Sequence, residues 1–169
     1  MAKPVNRSSL LVRTLLAYSV YEHGNEGGTA SAVELRLGPR SCMLVDNGRG
    51  IGLHRDGYVT RLIEQLALCR AEVALHGLGL AVIAMSSPLM TIEARRDGRL
   101  RRQDFSWGVA LAQVSDDPGE GASGTRISFT LPESAPEIDV EEVTEQVDHW
   151  RKAHPGLRID VSFDHTHAL

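Results

Sequence analysis

Val45-Asp46-Asn47-Gly48-Arg49-Gly50-Ile51 is the stretch on which the fold of this 169-residue chain turns. The strictly alternating AVELRL (32–37), the turn GPR (38–40) and the run SCMLVD (41–46) come just before it. That order predicts a β-hairpin that delivers an aspartate directly into a glycine-rich loop. Glycines let a backbone approach a ligand closely. An ionised carboxylate only accepts hydrogen bonds. A buried Asp46 therefore suits adenine, which offers an exocyclic amino donor, whereas guanine presents a carbonyl at that place. A plain hairpin turn with the aspartate as a cap has the same local sequence.

Upstream, LLVRTLLAYSVYE (10–22) spaces its apolar residues as a helix does, with Ser8 and Ser9 as caps, and GNEGG (24–28) ends it. Downstream, VTRLIEQLALCR (59–70) and ALHGLGLAVIAMSS (74–87) read as helices, the second beginning near Gly77. LMTIEARRDGRLRRQDFSWG (89–108) is a hairpin around Asp97-Gly98, a strong turn signal. VALAQV (109–114) reads as a strand, DDPGEGASG (116–124) as a loop and TRISFTLP (125–132) as a strand stopped by Pro132. IDVEEVTEQVDHWRKAH (138–154) is a helix with acids early and bases late, as its dipole favours, and LRIDVSF (157–163) is a last strand. The expected fold is α+β: a two-layer sandwich with helices on one face of a mixed, mostly antiparallel sheet. Its expected layout is a flexible N-terminus (1–9), one domain (10–163) and a tail (164–169).

Composition narrows the function classes. A net charge of -4 and 5% aromatic residues argue against direct nucleic-acid binding. No signal peptide or membrane-spanning stretch is read, so the expectation is a soluble, cytoplasmic chain. Cys42 and Cys69 make no metal spacing and read as small buried hydrophobes. His165 and His167 read as a frayed tail, since a metal site needs three or four ligands. No low-complexity tract or internal repeat marks a partner-binding segment. These features suggest no sticky surface, so a monomer or weak dimer is expected.

Two further elements bear on chemistry. Leu75-His76-Gly77-Leu78-Gly79-Leu80 opens a helix, whose first N–H groups favour a phosphate, although tight helix packing would also use these glycines. Gly124-Thr125 enters a strand, after Arg101-Arg102-Gln103 in the preceding hairpin. Taken in order, DNGRGI, HGLGLAVIAMSS, GRLRRQDFSWG and SGTRISFTLP resemble the gyrase-B-type ATPase domain over residues 10–163. That domain belongs to the GHKL superfamily of type II topoisomerases, MutL, heat-shock chaperones and histidine kinases. The resemblance implies a Bergerat-type fold and ATP or ADP as ligand. It places Asp46 on the adenine amino group, Thr125 in support of Asp46 and a bridging water, and Gly50 and Ile51 along the base. His76, Gly77 and Gly79 would face the phosphates, and Arg49 would form a salt bridge beneath the pocket, with Glu26 as its partner.

The departures from the family pattern concern catalysis. The family's first helix carries a water-positioning glutamate and, four residues later, a magnesium-ligating asparagine. Ser19 and His23 fall on these positions. Serine is a far poorer proton acceptor than a carboxylate. Histidine is a poor magnesium ligand, which puts magnesium in doubt. A second register offers Glu22 and Asn25 instead. The glycine pair before the family's histidine reads Val73-Ala74, the lid between Ile51 and His76 is short, and the lysine supplied by a second domain is not in the sequence. Three functions fit this pattern. One is a nucleotide-binding module with weak or no hydrolysis, acting with a protein partner. The second is a repurposed enzyme that uses His23, His76, Glu22 or Asp46 for acid–base chemistry on another small molecule, with His54 also flanking the pocket. The third is an ATPase completed by another chain.

Overall fold

The computed structural model describes residues 5–24, 30–53 and 75–164. Eight strands form one sheet: β1 (Ala32–Gly38), β2 (Ser41–Asp46), β3 (Leu89–Arg96), β4 (Arg99–Ser106), β5 (Val109–Ala110), β6 (Ser115–Pro118), β7 (Gly124–Thr130) and β8 (Arg158–Phe163). Their order is β5-β4-β3-β7-β2-β1-β8, with β6 also on β4. Every pairing is antiparallel except β1 with β8. Three helices are described: α1 (Arg7–Gly24), α2 (Leu75–Met85) and α3 (Val140–Ala153). None among the described residues is long and apolar enough to cross a membrane.

Alternation along the strands produces the two layers. Val33, Leu35 and Leu37 of β1, Cys42 and Leu44 of β2, and Ile127 and Phe129 of β7 are buried, and they join Val12, Leu15, Leu16 and Val20 of α1 in one core. In α1 these positions recur at helical spacing, so one stripe faces the sheet. α1 packs against both α2 and α3. The opposite sheet face is polar. Glu93 there pairs with Arg102 at 3.2 Å and Arg126 at 3.5 Å, and Arg158 pairs with Asp160 at 3.0 Å. This is the mixed, mostly antiparallel α+β architecture expected.

Several local expectations change. Asn6, not Ser8 or Ser9, caps α1: its Oδ1 accepts the Ser9 N–H at 3.0 Å. Ser8 instead donates to the Pro136 carbonyl (2.6 Å), and Ser9 Oγ accepts the Asp139 N–H (2.8 Å), so both serines tie α1 to the start of α3. Residues 7–9 are thus helix, with Ser8 and Ser9 buried, rather than part of a flexible arm. The predicted strand 109–114 shrinks to two residues. A strand, β6, forms inside the predicted loop because Asp116 there pairs with Arg99 (2.9 Å) and Arg101 (3.2 Å). That pairing rests on charge and leaves no hydrophobic alternation to read. Asp139 caps α3 through the N–H groups of Glu141 and Glu142. Asp164 is anchored by its N–H to the Leu37 carbonyl at 2.7 Å. The surface also carries more apolar area than composition suggested, since Trp107, Val109 and Leu111 are exposed near the β4–β5 turn. The predicted helix 59–70, with Cys69, and the His165/His167 pair lie outside the described residues.

Cys42 is fully enclosed, and burial pushes its thiol far above the usual range. Thiolate is the reactive form. Cys42 should therefore resist alkylation in the native protein and label only after unfolding. Peptide mapping that finds rapid native labelling at Cys42 would contradict this packing.

Candidate functional site

Asp46 is the last residue of β2 and is 5% exposed. Its Oδ1 accepts the Gly48 N–H at 3.0 Å, and its Oδ2 accepts the Ser19 hydroxyl proton from α1 at 3.0 Å. Burying a carboxylate is costly unless hydrogen bonds replace water, and these two donors supply them. Directly across the ladder from Asp46 lies Thr125 of β7. Thr125 is also buried, and its Oγ1 accepts the Ile51 N–H at 3.1 Å, leaving the hydroxyl its own proton to donate. Asn47 stitches the loop to β1, its Oδ1 accepting from the N–H groups of Ser31 and Ala32 at 2.9 Å each. Gly50 sits at φ +81°, and a Cβ there would strike the Arg95 carbonyl. The loop can therefore lie flat against β3 only with glycine at this position.

Beside this corner is a cleft of about 70 Å³ lined by Tyr18, Arg49, Gly50, Ile51, Gly52, Arg96 and Thr125. Asp46 is not itself in the lining. The cleft reaches its neighbours instead: Thr125, paired with it across the ladder, and Tyr18, next to Ser19 on α1. A wider concavity of about 320 Å³ opens on the sheet face opposite the described helices and also touches Asp46 and Thr125. We place the candidate site on the helix side because the polar atoms of both residues are engaged there, by Ser19 and by Ile51. Sequence reasoning missed Tyr18 and Arg96. Arg96 had one available signal, its place just before the Asp97-Gly98 turn on the strand beside β7. Tyr18 had only its adjacency to Ser19.

The remaining predicted residues are scattered. Ser19 is fully buried, and its hydroxyl proton is engaged by Asp46. His23 donates from Nδ1 to the Ala30 carbonyl at 2.6 Å and stands edge-on to His154, with ring centroids 5.8 Å apart. Arg49 is exposed and lines the cleft. Gly77 lies in the first turn of α2, which starts at Leu75 rather than near Gly77. The absent Cβ of Gly79 points at Thr14 Cγ2 of α1, only 2.6 Å away, so helix packing alone requires glycine there. Of the Arg101-Arg102-Gln103 segment, Arg101 pairs with Asp116, Arg102 with Glu93 and Asp104 on the open face, and Gln103 is buried. None of the three lines the cleft. Asn25, Glu26 and His54, and the side chains of Glu22 and His76, lie outside the described residues. The acid–base set of His23, His76 and Glu22 therefore lies in part outside the described residues.

His23 does not fit magnesium. Magnesium prefers an octahedron of oxygens. His23 offers nitrogen, and one of its two ring nitrogens is committed to Ala30.

No family model matches the chain. The chloroplastic/mitochondrial DNA gyrase B of Oryza sativa subsp. japonica is 30% identical over 124 residues, covering 62% of this chain and 17% of that protein. The DNA gyrase B of Campylobacter jejuni is 29% identical over 118 residues, covering 62% and 15%. That of Borreliella burgdorferi is 28% identical over 101 residues, covering 51% and 16%. Among solved structures, the 43K ATPase domain of Thermus thermophilus gyrase B, in complex with an aminocoumarin, superimposes with a TM-score of 0.75 at 22% identity. That match covers 91% of this chain and 42% of the other. The chain therefore has the fold of the gyrase-B-type ATPase domain, and it spans about a sixth of the length of the curated relatives it matches.

Proposed function

Because this chain resembles the gyrase-B-type ATPase domain in sequence and shares its fold, we propose that it is an adenine-nucleotide-binding module with weak or no hydrolysis, acting with a protein partner. The observation that carries this reading is the Asp46 corner: a buried carboxylate held by two donors, opposite a buried threonine, beside a cleft. Such a carboxylate accepts an amino hydrogen from adenine and would face an acceptor on guanine. Gly50 and Ile51 line the same cleft and would flank the base. The first turn of α2, with Gly77, has N–H groups that no helical carbonyl uses, which suits phosphate oxygens.

Titration calorimetry with ADP and GDP, with and without magnesium, tests the proposal. ADP should bind and GDP should bind more weakly. Asp46→Asn should cost roughly 1–3 kcal/mol of ADP binding, because it replaces an acceptor with an amide whose NH2 opposes the amino group. Equal affinity for ADP and GDP in the native protein would refute adenine recognition. If the native chain binds neither nucleotide but does bind small metabolites, the repurposed enzyme becomes the better account.

A further inference from the structure

We infer that Ser19 is a positioning residue for base selection, holding Asp46 in the orientation that favours adenine. This rests on the reading of the cleft as an adenine site. The resemblance put Ser19 where a water-activating group would stand, but its environment is wrong for that work. It is 0% exposed, and its hydroxyl donates to Asp46 Oδ2 at 3.0 Å. Asp46 has two oxygens, and each is held from a different part of the chain: Oδ1 by Gly48 N–H in the loop, Oδ2 by Ser19 on α1. Two donors on opposite oxygens stop the carboxylate from turning about its terminal bond.

A carboxylate held in this orientation keeps an acceptor for the adenine amino hydrogen. Ser19 contributes to selectivity from behind the carboxylate, without lining the cleft.

The test is a cycle between protein and ligand. Affinities of native protein, Ser19→Ala and Ser19→Cys are measured for ADP, GDP and the diphosphate of purine riboside, which lacks the 6-amino group. Ser19→Cys keeps the site filled with a much weaker donor, in case the alanine variant leaves a damaging cavity. Both variants should lose about 5- to 30-fold for ADP, a part of what a hydrogen bond to a charged group contributes. Their affinity for the purine riboside diphosphate should stay within about twofold, because that ligand makes no contact that Ser19 supports. Equal weakening of all three ligands in both variants would show that Ser19 only maintains the fold, and would overturn the inference while leaving adenine binding standing. A native chain that binds none of the three overturns both.

Discussion

Purified, the native chain should release phosphate from magnesium-ATP no faster than buffer does. In-line attack of water on a terminal phosphate depends on positioning the water and stabilising charge, chiefly by metal and cationic groups. Losing a general base alone typically forfeits about 100- to 10,000-fold. The two residues that the resemblance sets on those tasks are occupied otherwise: Ser19 by Asp46 and His23 by the Ala30 carbonyl. Nor would Ser19→Glu supply the missing base. A second carboxylate within about 3 Å of Asp46, in a site without solvent, would force one of the pair to take up a proton. The graft should therefore weaken adenine binding rather than create turnover. A phosphate-release assay on native protein, with Asp46→Ala as the control for contaminating ATPase, measures this directly. Magnesium-dependent release that Asp46→Ala abolishes would overturn the expectation and favour the register with Glu22 and Asn25.

The sheet was legible in sequence wherever burial alternates. AVELRL and SCMLVD form β1 and β2 within a residue of the predicted limits, and Asp97-Gly98 is the turn between β3 and β4. Asp46 was legible as the polar end of an apolar strand, and Thr125 through the family resemblance. Their direct pairing was not, because it depends on β7 entering between β3 and β2, which no local pattern states. What escaped the sequence was held by long-range polar contacts. β6 exists through Asp116 and the arginines of β4, and Ser8 and Ser9 serve the start of α3 rather than their own helix. Tyr18 and Arg96 join the cleft from elements distant in sequence, and neither stands in a motif. Ser19 was legible as a departure from the family pattern, but its hydrogen bond to Asp46 was not.

Gly50→Ala should be among the most destabilising single changes in the loop, at about 2–5 kcal/mol. Two costs combine. The residue holds φ +81°, where a side chain adds about 1–2 kcal/mol of backbone strain. The new Cβ would also run into the Arg95 carbonyl and crowd Arg96 Cβ at 3.2 Å. Forcing extra volume into a packed position costs about 1–3 kcal/mol. Arg95 cannot yield easily, because its backbone is paired in the ladder between β3 and its neighbours. Gly98 provides the internal control. It has φ +69° and no atom within 4 Å of a Cβ, so Gly98→Ala should cost the strain alone. The difference between the two variants in urea unfolding isolates the collision with β3. Domains of this size hold about 5–15 kcal/mol in total, so the larger loss should be plain in the transition midpoint. The same displacement would pull Ile51 N–H from Thr125 Oγ1 and open the corner that holds Asp46, so Gly50→Ala should also lose ADP binding at temperatures where it remains folded. Equal destabilisation by the two substitutions would mean that the loop does not lie against β3 in solution, and the cleft would lose one of its walls.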